Sequence, residues 1–255
     1  MVYAAIYHED GNYTRREYLI RILKAAGCNL LEWTQDSSLT ELDCYKDILR
    51  TAKKNDPKAH CLIVKDNTVT AIDGNTLKDI ISRVTRYKFD FCYLANWGDY
   101  CQLHVKLEKK DPKTGISIVK TQHPMGNQCI IFSPSGRDVI LGDKMANGMS
   151  VNLNGASLCS GLTEEVYNGN LSAITTIPPV FQYDISLNAI RNNDYDKMNF
   201  CSPVEIEGST SSSSSSNMLR FVVVVILALL VAWAIIKLGP RSPKSHTTKI
   251  RQARS

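Results

Sequence analysis

The stretch His60-Cys61-Leu62-Ile63-Val64-Lys65-Asp66-Asn67 sets an apolar run directly before three polar side chains that can handle charge. Such a run suits a buried strand, and in open parallel sheets ligands gather outside the carboxyl ends of strands. The residue types there allow three kinds of chemistry. Lys65 can neutralise a phosphate without a metal. Asp66 and Asn67, with Asp73 further on, can bind a divalent cation weakly, Lys65 opposing it by like charge. Or the segment binds a ligand without transforming it. The plainer alternative is that Asp-Asn after a strand is an ordinary turn.

Other candidates are single residues. His104 and His123 stand alone in sequence and read as surface or structural side chains. Trp97-Gly98-Asp99-Tyr100 can stack a planar ligand or close a core. Asp143 and Asp184 suit a general base, with no partner in the local pattern. No phosphate-binding loop, nucleophile elbow, zincin helix or dinucleotide fingerprint occurs.

The elements that must position these residues alternate. Residues 2–7 read as a short strand, followed by a helix opened by Thr14-Arg15-Arg16-Glu17 and closed at Gly27. Asn29–Trp33 reads as a second strand. Leu42, Tyr45, Ile48, Leu49 and Ala52 share one face of a second helix. His60–Lys65 is the third strand, Thr76–Arg86 a third helix and Phe89–Leu94 a fourth strand. Gln102–Leu107, Ile116–Lys120 and Gln128–Ser133 follow as strands, Pro134–Leu141 as a short helix and Ile174–Ile177 as a late strand before Pro178-Pro179. This order predicts an α/β domain over 1–203, a Rossmann-type and mainly parallel sheet with helices on both faces.

The chain has 255 residues and a formal net charge of +5. Six cations follow Ile236 (Lys237, Arg241, Lys244, Lys249, Arg251 and Arg254) with no acidic residue among them, which leaves the remainder at about −1. A near-neutral domain excludes a nucleic-acid binder that works by bulk charge. The eight cysteines form no Cys-x-x-Cys pair, and several stand in apolar runs, so buried free thiols are expected.

The order of elements from Met1 to about Asn188 resembles glycosyltransferase family 25, a GT-A type. Leu62-Ile63-Val64-Lys65-Asp66-Asn67 sits where that family has an aliphatic run ending Glu-Asp-Asp. Arg15-Arg16 is similar to its early arginine-bearing helix. Gly126-Asn127-Gln128-Cys129-Ile130-Ile131-Phe132-Ser133-Pro134-Ser135-Gly136 looks like its Gly-Thr-His-Ala-Tyr segment with the strand and helix start that follow. Pro178-Pro179-Val180 with Gln182 and Ser186 resembles its late proline motif. The resemblance implies a nucleotide sugar bound by Lys65, Asp66, Asn67 and Gln128, with manganese or magnesium at Asp66 clamping the diphosphate. The departures fall on the chemistry: one carboxylate remains of the acidic triplet, Gln128 occupies the histidine position and Ile130 the tyrosine position. A degenerate metal site is therefore expected. The alternative is a non-enzymatic membrane protein for assembly or interaction, and the missing acidic pair with a terminal anchor resembles divergent membrane proteins of large DNA viruses.

Residues 204–217, ending in six serines and Asn217, read as a flexible linker with about 20 Å of mean reach. Phe221–Ile236 is continuously apolar, about 24 Å of helix, and Arg220 and Lys237 can snorkel at its ends. A transmembrane helix is expected over 218–238, with a basic tail over 239–255 that suits anionic lipid headgroups. The tail favours a cytoplasmic C-terminus by the positive-inside bias. Against that, Met1–Tyr7 followed by His8-Glu9-Asp10 lacks the features of a signal peptide. A helix so near the C-terminus inserts after release from the ribosome, and free thiols suit a reducing compartment. The sequons at Asn12 and Asn170 weigh the other way only slightly. The expectation is a tail-anchored protein with a cytosolic domain.

Overall fold

A computed structural model describes residues 1–8, 13–96, 99, 101–146, 148, 151, 153 and 157–183. The linker, the apolar segment 218–238, the basic tail and Asp184 lie outside them. Among the described residues no helix is long and apolar enough to cross a membrane.

The elements run β1 (Val2–Tyr7), α1 (Tyr13–Ala25), β2 (Asn29–Leu30), α2 (Glu41–Asn55), β3 (His60–Lys65), β4 (Thr68–Val69), α3 (Gly74–Val84) and β5 (Phe91–Ala95). After a single 3₁₀ turn come β6 (Val105–Lys106), β7 (Ser117–Thr121), β8 (Cys129–Phe132), α4 (Pro134–Leu141), α5 (Leu158–Tyr167), β9 (Ala173–Ile177) and β10 (Gln182–Tyr183). Eight strands form one sheet in the order β2-β1-β3-β8-β5-β9-β7-β6, and β4 and β10 pair separately.

Strand direction corrects the expectation of a mainly parallel sheet. β1 is parallel to β2 and β3, and β5 is parallel to β9. β8 enters antiparallel between β3 and β5, and β7 and β6 continue antiparallel at the far edge. The sheet is mixed, because the chain reverses in the β6–β7 hairpin, and β7 and β8 both run against β5 and β9.

The pleat sends alternate side chains of each central strand into two cores. Ala4, Leu62, Val64, Cys92, Leu94, Cys129 and Ile131 meet α1 and α3 on one face. Ala5, Cys61, Ile63, Phe91, Tyr93, Ile130 and Phe132 meet α2, α4 and α5 on the other. That is why these strands read as continuous apolar runs rather than alternating ones. α1 and α3 touch at Gly74, where an added Cβ would lie 2.3 Å from the Ala25 Cβ. Side-chain caps start the helices: Thr40 for α2, Asp73 for α3, Ser133 for α4 and Ser157 for α5.

Cys28, Cys44, Cys61, Cys92 and Cys129 are buried free thiols. Burial pushes Cys28 up to about 11 and Cys61 up to about 12, so both stay protonated and unreactive at neutral pH.

Candidate functional site

Right-handed crossovers fix where the chain reverses across the sheet. From β1 the chain passes through α1 to β2 on one side. It then returns through α2, on the opposite face, to β3 on the other side of β1. The boundary between β1 and β3 is thus the topological switch point, and a crevice outside the strands' carboxyl ends there is the favoured ligand position. Tyr7 and His8 leave β1 at this point, and Lys65, Asp66 and Asn67 leave β3 beside them. Tyr7 pairs with Lys65 in register, and Asp66 N donates to Tyr7 O at 2.9 Å.

The structure gives Asp66, Lys65 and Gln128 partners that the sequence did not show. The Asp66 side chain is fully buried, its Oδ2 3.4 Å from His8 Nδ1. The Lys65 side chain is 5% exposed and its Nζ lies 2.7 Å from Glu41 Oε1, at the start of α2. Glu41 Oε1 also accepts from Asn127 Nδ2 at 2.7 Å. A buried ammonium needs such a counter-charge, so Lys65 already spends its charge inside the domain. Its Nζ also stands 5.6 Å from the centroid of the Tyr7 ring, which stacks on Trp33. Asn67 is buried in the turn between β3 and β4, where Thr68 Oγ1 donates to Lys65 O. Gln128 joins this edge through its backbone, accepting from Lys65 N at 2.8 Å, while its Oε1 accepts from Asn127 N. The plain turn reading of Asp66-Asn67 is thus realised, and it occupies the switch point as well.

This donor set does not fit the divalent cation expected at Asp66. Manganese or magnesium takes about six hard ligands, mostly oxygens. Here one carboxylate is available, and it is enclosed against an imidazole. Glu41 is engaged by an ammonium, and Asp73 caps α3 through Thr76 N. Among the described residues no group of three His, Cys, Asp or Glu side chains is placed to hold a metal.

The segment 121–128 ties this cluster to a second one. Tyr45 Oη donates to Asn127 O, and Met125 N donates to Asn96 Oδ1. Asp99 Oδ2 accepts from Asn96 Nδ2 and Thr121 Oγ1 and lies 2.7 Å from His104 Nε2. Burial alone would push the Asp99 carboxyl up. The bonds from His104, Thr121 and Asn96 outweigh it and hold the group below its ordinary value. His104, which stands alone in the sequence, is thus paired in the fold. His123 packs edge-on against Tyr167. Asp143 shares the Lys53 ammonium with Asp138, both at 2.9 Å. A cleft of about 400 Å³ lies elsewhere, lined by Asp90, Lys120 and residues 166–172 at the amino ends of β5 and β9, and it contains none of the four candidates.

No family model and no curated protein sequence matches the chain. Among solved structures it is similar to a glycosyltransferase involved in the glycosylation of the major capsid of PBCV-1, at 10% identity and a TM-score of 0.41, over 76% of this chain and 98% of that one. It is similar to A197 from STIV at 10% identity and a TM-score of 0.40, over 69% and 81%. An apo UDP-glucose pyrophosphorylase is similar at 12% identity and a TM-score of 0.34, over 68% and 72%. Likeness at this level identifies neither substrate nor reaction.

Proposed function

We propose that this chain is a single-pass, membrane-anchored glycosyltransferase-like protein whose domain takes a nucleotide sugar outside the carboxyl ends of β1 and β3. The observation that carries the reading is the His8–Asp66 pair at the strand-order reversal, where the sequence also resembles family 25. Tyr7 and Trp33 offer a stacked aromatic surface beside it, suited to a planar base. The donor set around Asp66 does not fit a metal-dependent step. A second reading, a domain that binds without turnover, is favoured by one further observation: Lys65 and Asp66 each face a partner within the fold.

The test is a thermal melt of the full chain in detergent against a panel of uridine and guanosine diphosphate sugars, with and without manganese. A donor at a hundred times its Kd should stabilise by about 2.7 kcal/mol, a rise of roughly 5–10 °C. Asp66→Asn, which keeps the side-chain shape, should abolish the shift. A flat panel would sink the nucleotide-sugar reading, and a shift indifferent to Asp66→Asn would move the ligand elsewhere. Donor hydrolysis in the same samples separates a working transferase from a binding protein.

The membrane reading rests on residues 218–238 and their flanks. With an epitope after Ser255, protease added from the cytosolic side should remove the domain and spare the tag. Loss of the tag instead would overturn the tail-anchored orientation.

A further inference from the structure

The hairpin formed by β6 and β7 concentrates charge that the near-neutral domain otherwise lacks. Residues 102–121 carry Lys106, Lys109, Lys110, Lys113 and Lys120 against only Glu108 and Asp111. Both acids are drawn inward by one residue of α3: Arg83 pairs with Glu108 and, at 2.8 Å, with Asp111, and it also donates to Ile116 O. Tyr87 Oη adds a bond to Glu108. Lys113 is held by Asp79. Among the described residues Lys106, Lys109, Lys110 and Lys120 make no ion pair, and all four are exposed. Val105 and Leu107, between and beside them, are 52% and 37% exposed.

Lysine on a short edge strand has a simpler use, since it discourages pairing with another strand. That accounts for Lys106. It does not account for Lys109 and Lys110 beyond the strand, nor for two large apolar side chains left in water beside them. Free cations around exposed aliphatic residues are the composition of a surface that lies on an anionic bilayer, with headgroups outside and apolar side chains at the acyl boundary.

We infer that the β6–β7 hairpin is a second membrane contact, docking the domain edge-on against an anionic lipid surface. The inference rests on the proposed anchor. A linker of the reach predicted by its composition keeps the domain close to the bilayer, where weak contacts gain from a high effective concentration. The cytosolic leaflet is the anionic one, so the inference also agrees with a cytosolic domain.

Hydrogen exchange over residues 102–121 tests it, with the full chain in nanodiscs of phosphatidylcholine alone or with phosphatidylserine added. Exchange in β6 should be at least fivefold slower in the anionic discs, and salt should reverse the effect. Each lysine at such a surface contributes about fivefold to docking, so K106E/K109E/K110E should weaken it about a hundredfold. The melting temperature should not move, because among the described residues these side chains hold nothing else. Equal exchange in both discs overturns the inference. Protection by a nucleic-acid duplex but not by anionic discs overturns it in favour of a polyanion site. If the chain does not enter discs at all, the anchor reading fails. The hairpin is then judged by co-sedimentation of wild-type and charge-reversed chains with vesicles of the same lipids, equal pelleting of the two overturning it.

Discussion

Arg137→Ala is expected to cost the domain about 4 kcal/mol, read as a fall in the urea midpoint at unchanged slope. Arg137 lies in α4 with no exposed surface, the largest fully buried side chain among the described residues. Its guanidinium donates to the carbonyls of Ala59, Asp56 and Pro57, closing the turn from α2 into β3, and its Nε lies 3.4 Å from Asp138 Oδ1. Burying a cation is expensive, and replacing a buried charge by an apolar group of like volume is sometimes neutral. Here the balance tips the other way. Ala59 is buried, so its carbonyl cannot turn to water and stands to lose about 1–3 kcal/mol. Arg137→Met, which keeps the volume and loses the donors, isolates that part and should cost about 2 kcal/mol. A methionine variant as stable as the wild type would show that the guanidinium fills space and nothing more.

Gly136→Ala should be nearly as damaging, although alanine is the better helix former by about 1 kcal/mol. The first turn of α4 rests on the chain entering β5, where Asp90 O accepts from Ser133 N at 3.0 Å. An added Cβ at residue 136 would lie 2.2 Å from that oxygen and 2.7 Å from its carbon. These are backbone atoms, so the helix must lift or the strand must bend. Asp90 is not free to yield, because its carboxylate also holds Ser172 N and Oγ ahead of β9. A net loss of about 3 kcal/mol is expected, roughly 6–12 °C in Tm by calorimetry. Gly142→Ala is the control. That glycine ends α4 at φ 80° with nothing near a Cβ, so only the left-handed backbone costs, about 1–2 kcal/mol. Equal losses at the two glycines would remove the close approach as the cause.

The sequence pattern carried the elements best where local chemistry and burial agreed. Cys61–Val64 between polar flanks marked β3, the spacing of Leu42, Tyr45, Ile48, Leu49 and Ala52 marked α2, and α4 runs over Pro134–Leu141 as expected. α5 was not foreseen. Its Ser157 cap and the spacing of Leu158, Leu162 and Val166 were there to be read, but Cys159, Ser160 and Gly161 are poor helix formers and dilute the signal. Strand direction was illegible at β8, since an apolar run looks the same read either way. The candidate site was legible in its β3 half and, through the family resemblance, at Gln128. Lys65, Asp66 and Asn67 follow a recognisable strand. His8 and Glu41 answer them from distant positions, and no periodicity announces which carboxylate a lysine will find.

β8 also governs when the two halves of the sheet can be joined. Among the described residues it is the sole strand joining the β2-β1-β3 set to the β5-β9-β7-β6 set. Until residues 129–132 have left the ribosome, the edge of β3 away from β1 has no partner and neither does the facing edge of β5. The nascent chain therefore carries two apolar strand borders, Cys61–Val64 and Phe91–Ala95, through the synthesis of more than thirty further residues. A keystone laid so late makes this domain a natural client for chaperones during translation. Truncations ending before Cys129 should yield sticky half-sheets, not small stable folds.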